Sequence, residues 1–96
     1  MQEKDVEKYL KEQVAAQLHG KAMKWVSPGN NGVPDRLVIV PGGRIYFVEL
    51  KAPGEEPRKL QKYIHEQMRE MGCVVLTIDT KEKVDSFIKA VSENEI

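Results

Sequence analysis

Apolar residues recur at helical spacing in three parts of the chain, with charged or polar residues between them. This spacing predicts helices over residues 3–18 and 57–71, and a third helix that begins after Thr80, which can cap it. We expect the buried stripes of these helices to consist of Val6, Leu10, Val14 and Leu18; of Leu60, Ile64, Gln67 or Met68, and Met71; and of Val84, Phe87, Ile88 and Val91.

The remaining apolar runs are short and predict four strands. Three of them, over residues 22–26, 35–40 and 44–51, precede the second helix. The fourth, CVVLTID over residues 73–79, is a continuous apolar run, which is typical of a strand buried on both faces. The expected order is therefore α-β-β-β-α-β-α in a single domain, residues 1–96. Its β-α-β end implies a parallel pair with a right-handed crossover, so we expect a mixed sheet flanked by helices.

The two central strands form a hairpin whose open end carries Asp35, Glu49 and Lys51. Side chains alternate between the faces of a strand, so Glu49 and Lys51 share one face. A two-residue turn at 42–43 would place Asp35 on the other face, whereas a three-residue turn at 41–43 would bring it opposite Glu49. Glycine can supply the left-handed residue that ends a three-residue turn. The sequence leaves both registers open.

The three-residue register would set two carboxylates directly against each other, which destabilises a strand pair. A bound divalent cation would reverse the sign of that interaction, because Mg²⁺ prefers carboxylate oxygens. Two acids, a metal ion and Lys51 could together hydrolyse a phosphodiester bond. The alternative is a set of solvated charges at a strand end, with ion pairs worth about 0–1 kcal/mol.

Charge composition limits how the chain could bind a nucleic acid. It has 15 lysines and arginines against 15 aspartates and glutamates, so its formal net charge is zero. DNA binding would therefore require a local basic groove rather than a basic surface. The candidate DNA contacts are Arg58, Lys59 and Lys62 near the second helix, and Ser27, Asn30 and Asn31 in a loop rich in glycine and asparagine.

The single cysteine, Cys73, excludes an internal disulfide, and His19 and His65 stand alone without zinc-site spacing. We expect both histidines at the surface. No apolar stretch approaches the roughly 20 residues of a membrane span, and the charged first segment is not typical of a secretory signal. These features favour a reducing, cytoplasmic setting without membrane contact.

A set of short motifs is more specific than any of these features alone. G-V-P-D, a hairpin and E-L-K, with a helix before and a helix and strand after, resemble the PD-(D/E)xK nuclease superfamily. The finer pattern resembles its VRR-NUC branch, the virus-type replication–repair nuclease domain, from Glu3 to about Ile88. The motifs that carry this resemblance are E-K-D-V-E-K-Y-L, S-P-G-N-N-G-V-P-D-R, P-G-G-R, F-V-E-L-K-A-P-G, R-K-L-Q and M-G-C-V-V-L-T-I-D.

The resemblance implies a restriction-endonuclease-like α/β fold and a role for each matching residue. Asp35 and Glu49 match the metal-binding acids, and the backbone carbonyl of Leu50 would be a further ligand of Mg²⁺ or Mn²⁺. Lys51 matches the lysine that positions the attacking water or stabilises charge at the phosphate. Gln61 matches a glutamine that helps to order the site.

An acid on the first helix also belongs to the family pattern, and two residues fit it. Glu3 and Glu7 lie one turn apart and have the same spacing to the apolar positions that follow. We favour Glu3, and Glu7 remains an alternative.

The activity implied by the resemblance is that of a stand-alone phage or bacterial endonuclease. We expect a homodimer that cuts branched DNA such as Holliday junctions, with no small-molecule cofactor. If a phage encodes the chain, its compartment would be the cytoplasm of the bacterial host. The alternatives are an inactive DNA-binding or assembly module of the same fold, and a sequence-specific restriction-type nuclease.

Overall fold

A computed structural model describes residues 1–96 as three helices and a four-stranded sheet. The strands lie in the order β1-β2-β3-β4; the first three are antiparallel, and β4 is parallel to β3. The predicted order and the mixed sheet flanked by helices are confirmed. No helix is long and apolar enough to cross a membrane. The elements are α1 (Glu3–Leu18), β1 (Lys21–Lys24), β2 (Arg36–Val40), β3 (Arg44–Leu50), α2 (Lys59–Glu70), β4 (Val75–Ile78) and α3 (Lys81–Ser92).

The core lies between one face of the sheet and the pair α1 and α3. Tyr46 on β3 packs edge-on against Phe87 on α3, with ring centroids 5.5 Å apart. The stripes predicted for these two helices are confirmed, since the buried residues are Val6, Leu10, Val14 and Leu18 on α1, and Val84, Phe87, Ile88 and Val91 on α3.

Helix α2 buries a different side from the one predicted. We expected Leu60 and Met71 in its buried stripe, but they are 50% and 77% exposed. The buried residues of α2 are Gln61, His65 and Met68. Met68, which we also expected there, is buried, so the prediction is wrong for Leu60 and Met71. It counted apolar side chains, whereas the inward side of α2 meets the charged end of the hairpin and is mostly polar.

The hairpin of β2 and β3 has the three-residue turn. Val40 pairs with Arg44, so residues 41–43 form the turn, and both of its glycines have positive φ angles. Continuing the same pairing to the open end of the hairpin brings Asp35 opposite Glu49. Of the two registers left open by the sequence, the structure therefore has the one that joins the two acids.

Gly43 gives a direct test of the backbone conformation of this turn. Gly43 has φ of 75°, and a Cβ at this position would meet no atom within 4 Å, so a substitution there strains only the backbone. We expect Gly43→Val to lower the free energy of unfolding by about 1–2 kcal/mol. Gly43→Asn should lower the free energy of unfolding much less, because asparagine tolerates the left-handed region. Urea denaturation of both variants measures the difference; equal losses would contradict this account of the turn.

Candidate active site

The open end of the hairpin contributes to a polar pocket of about 410 Å³. Its walls come from the start of α1, the ends of β2 and β3, the loop after β3 and the start of α2. Most of the predicted catalytic residues therefore meet in one place. The lining residues are Glu3, Asp35, Glu49, Leu50, Lys51, Glu55, Glu56, Arg58 and Gln61.

Two backbone N–H groups hold Asp35, one through its side chain and the other through its carbonyl oxygen. Its Oδ2 accepts a hydrogen bond from the Leu50 N–H at 2.9 Å, and its carbonyl accepts one from the Trp25 N–H at 2.8 Å. The preceding residue, Pro34, is fully buried and restricts the approach of the chain. The carboxylate is thus oriented through Oδ2.

Glu49 is 1% exposed and is bonded through only one of its oxygens. Oε2 accepts a hydrogen bond from Gln61 Nε2 at 3.0 Å and lies 3.3 Å from Lys51 Nζ, whereas the buried Oε1 has no hydrogen-bond partner. Burial, and then the charge of Asp35, raise the pKa of Glu49 to about 7, against the opposing effect of Lys51. A further positive charge in the pocket would therefore stabilise the ionised carboxylate.

The two candidate acids of α1 lie in different surroundings. Glu3 lines the pocket, and its pKa is raised, mainly by burial and then by the charge of Asp35. Glu7 instead forms a 2.9 Å ion pair with the buried Arg36. Of these two acids, only Glu3 is placed to act on a ligand in the pocket.

The candidate DNA contacts fall into two groups. Arg58 lines the pocket, the exposed Lys59 begins α2, and Lys62 pairs with Glu56 at 3.3 Å on the surface. The loop residues lie elsewhere: Ser27 and Asn30 line a separate groove, and the exposed Asn31 follows them.

His65 is a residue of this site that sequence reasoning missed. We expected it at the surface, but it is buried, with Nε2 3.8 Å from Glu49 Oε1. Burial, and then the charge of Arg69, lower the pKa of His65, which favours a neutral imidazole. Its spacing of four residues from Gln61 places both on one side of α2, and this was the available signal.

Asp79 is a second residue that sequence reasoning missed. Its Oδ2 accepts a hydrogen bond from the Gly54 N–H at 2.9 Å, and its Oδ1 lies 2.8 Å from Lys83 Nζ. These contacts fasten the loop after Lys51 to the end of β4. The sequence placed Asp79 at the end of a strand but gave no sign of its partners.

The donors in the pocket suit a hard divalent cation. Asp35 and Glu49 offer two carboxylates, while no group of three or more His, Cys, Asp or Glu side chains is arranged to hold a metal ion. Mg²⁺ commonly binds proteins through one or two carboxylates and keeps several waters, so two acids and a backbone carbonyl such as that of Leu50 suffice. The unpartnered Glu49 Oε1 and the mutual repulsion of the two acids support this fit.

The chain is similar to known proteins, although no family model matches it. The chain is 42% identical over 92 residues to a protein named "Putative nuclease p44" from Acyrthosiphon pisum secondary endosymbiont phage 1. That alignment covers 96% of this chain and 97% of the phage protein. A solved structure described as "VRR_NUC domain" matches with a TM-score of 0.84 and 39% identity, over 91% of this chain and 94% of the other.

The raised pKa of Glu49 predicts a specific pH dependence of stability. A carboxyl group with a raised pKa stabilises the fold while protonated, and this contribution is lost as the pH rises from 4.5 to about 7. Glu49→Gln keeps the neutral shape at every pH. We therefore expect the stability of this variant relative to wild type to rise by about 2–3 kcal/mol between pH 4.5 and 7.

Chemical denaturation across this pH range, without divalent ions, measures the effect. Glu12→Gln, at an exposed position on α1, is the matched control and should follow the wild-type curve. If Glu49→Gln also follows it, Glu49 does not have a raised pKa.

Proposed function

This chain belongs to the VRR-NUC nuclease domain family, and we propose that it is a Mg²⁺- or Mn²⁺-dependent endonuclease that cuts branched DNA as a homodimer. The observation that carries this proposal is the meeting of Asp35, Glu49 and Lys51 in one pocket. Two neighbouring carboxylates, one buried and one half-buried, repel each other without a cation. With a cation and a lysine beside them, they are suited to phosphodiester hydrolysis.

Five residues of the pocket have a role in this reaction. Asp35, Glu49 and the Leu50 carbonyl would hold the metal ion, which when bound supplies a water of lowered pKa and neutralises charge on the phosphate. Lys51 orients the attacking water or a phosphate oxygen. Gln61 donates to Glu49 and accepts from the Arg58 N–H at 2.7 Å, and so ties the start of α2 to the metal-binding acid.

The charge of the pocket supports metal dependence. Its lining includes the acids Glu3, Asp35, Glu49, Glu55 and Glu56, against the two bases Lys51 and Arg58. A DNA phosphate brings further negative charge into this surrounding, and would be repelled unless a cation were bound first. The basic residues at the start of α2, Arg58, Lys59 and Lys62, would attract the DNA backbone beside the pocket, where the helix N-terminus also favours anions.

An apolar groove of about 380 Å³ supports the homodimer. The groove lies on the sheet face that carries the active site, and Trp25 and Phe47 pack together in it with ring centroids 5.2 Å apart. Met71 at its edge is 77% exposed. Contiguous exposed apolar surface of this kind usually marks an interaction site. A two-fold dimer would carry two pockets, which suits paired cuts in the opposing strands of a junction.

A cleavage assay tests the nuclease proposal. We expect a labelled four-way junction to be cut with Mg²⁺ or Mn²⁺ and to remain intact with a chelator. Lys51→Ala should lower the rate about 100-fold or more, because it removes a charge that stabilises the transition state. Lys11→Ala, an exposed lysine on α1, is the matched control and should cut normally.

Two outcomes of this assay would count against the proposal. Equal cutting by Lys51→Ala and wild type would remove the catalytic role of the pocket. Cutting of only one arm sequence, among junctions of unrelated sequence, would indicate a restriction-type enzyme instead. A linear duplex of the same sequence serves as the unbranched substrate.

Sedimentation velocity tests the homodimer. Met71→Lys places a charge in the apolar groove at a side chain that is already solvent-exposed in the single chain. We expect the variant to fold and to sediment as a monomer, while wild type and Lys11→Glu sediment as dimers. A dimeric Met71→Lys protein would show that this groove is not the dimer interface.

A further inference from the structure

The imidazole of His65 is enclosed between α2 and the sheet and is 1% exposed. It lies on the inward side of α2, one turn after Gln61, which donates to Glu49. Because of this burial, a DNA substrate cannot reach the ring. Any effect of His65 on catalysis must therefore act through the residues that surround it.

Two buried polar atoms face each other at this point. His65 Nε2 lies 3.8 Å from Glu49 Oε1, and neither atom has a hydrogen-bond partner. The opposite oxygen, Oε2, is fixed by Gln61 and Lys51. Buried polar atoms rarely lack partners, and contacts in active sites often tighten only when the ligand binds. The imidazole is thus the polar group that faces the inner oxygen of Glu49.

The ring of His65 also lies beside the segment that carries Asp35. Burial and then the charge of Arg69 lower the pKa of His65, and the Gly32 backbone beside the ring opposes them. Gly32 lies tightly against α2: its φ is +93°, and a Cβ there would come within 3.0 Å of the Ile64 side chain. From Gly32 the chain passes through the buried Pro34 directly to Asp35.

We propose that His65 is a positioning residue that sets the two metal-binding carboxylates relative to each other. It does so by linking the segment before Asp35, through Gly32, to the inner side of Glu49. This inference rests on the metal site described under the proposed function. Replacing residues that support metal ligands typically changes metal affinity 10- to 100-fold, whereas a side chain that only fills space would leave the affinity unchanged in a folded protein.

The test measures Mn²⁺ affinity by isothermal titration calorimetry without DNA, together with the midpoint of urea unfolding. His65→Leu fills the space but removes both ring nitrogens. We expect its Mn²⁺ affinity to fall about 10- to 100-fold while its unfolding midpoint stays near that of wild type. His65→Gln offers an amide toward Gly32 and Glu49, and we expect it to recover most of the affinity.

Met68→Leu is the matched control, because Met68 lies on the same inward side of α2, toward the apolar groove. We expect its Mn²⁺ affinity to equal that of wild type. If His65→Leu does not fold, His65→Asn replaces it; its amide is too short to span both contacts, and the same loss is expected. Unchanged affinity in that variant would overturn the proposal.

The arms of the experiment separate this inference from the proposed function. If Asp35→Asn abolishes Mn²⁺ binding and His65→Leu binds like wild type, the metal site stands and His65 has no positioning role. If wild type binds no Mn²⁺, the metal site is wrong and the role of His65 falls with it. A loss confined to His65→Leu, recovered in His65→Gln, supports the positioning role.

Discussion

Two carboxylates set against each other at the open end of a hairpin are the constraint on which the rest of this structure depends. At this register Asp35 and Glu49 repel each other, and burial adds to the cost by raising the pKa of Glu49. The contacts around them, from the Leu50 N–H, Gln61 and Lys51, orient the acids but do not neutralise the pocket. The unfavourable charge that remains would favour binding of the proposed divalent cation.

The sequence predicted best where the inward side of an element is apolar. Hydrophobic spacing gave the buried stripes of α1 and α3 correctly, because burial and apolar character coincide there. It could not choose the hairpin register, since both turns satisfied local backbone chemistry. It could not choose between Glu3 and Glu7 as the acid of the site either. The difference is that Glu7 pairs with Arg36, which is distant in the chain.

Helix α2 is where hydrophobic spacing misled, and its reversal has a physical reason. A helix that covers an active site turns its polar side chains inward, so Gln61 and His65 are buried while Leu60 and Met71 face outward. The cost of burying polar groups is offset where they meet other polar groups, as Gln61 does in its hydrogen bond to Glu49. The apolar side of α2 is then left to border the groove beside the site. One helix thus contacts the proposed metal-binding acid and borders the candidate dimer surface.

The zero net charge of the chain is compatible with a DNA substrate only if the residues that attract DNA differ from the acids of the pocket. The pocket lining has five acids and two bases, a formal charge of −3, so a single divalent ion leaves it negative. Attraction of the DNA backbone must then come from basic residues outside the pocket lining, Lys59 and Lys62, which lie beside Arg58 at the start of α2. Because Gln61 hydrogen-bonds both the Arg58 backbone and Glu49, a shift of this basic segment on binding DNA would be passed directly to the metal-binding carboxylate. In the proposed nuclease, substrate capture and the geometry of the metal site are therefore coupled through the first turn of one helix.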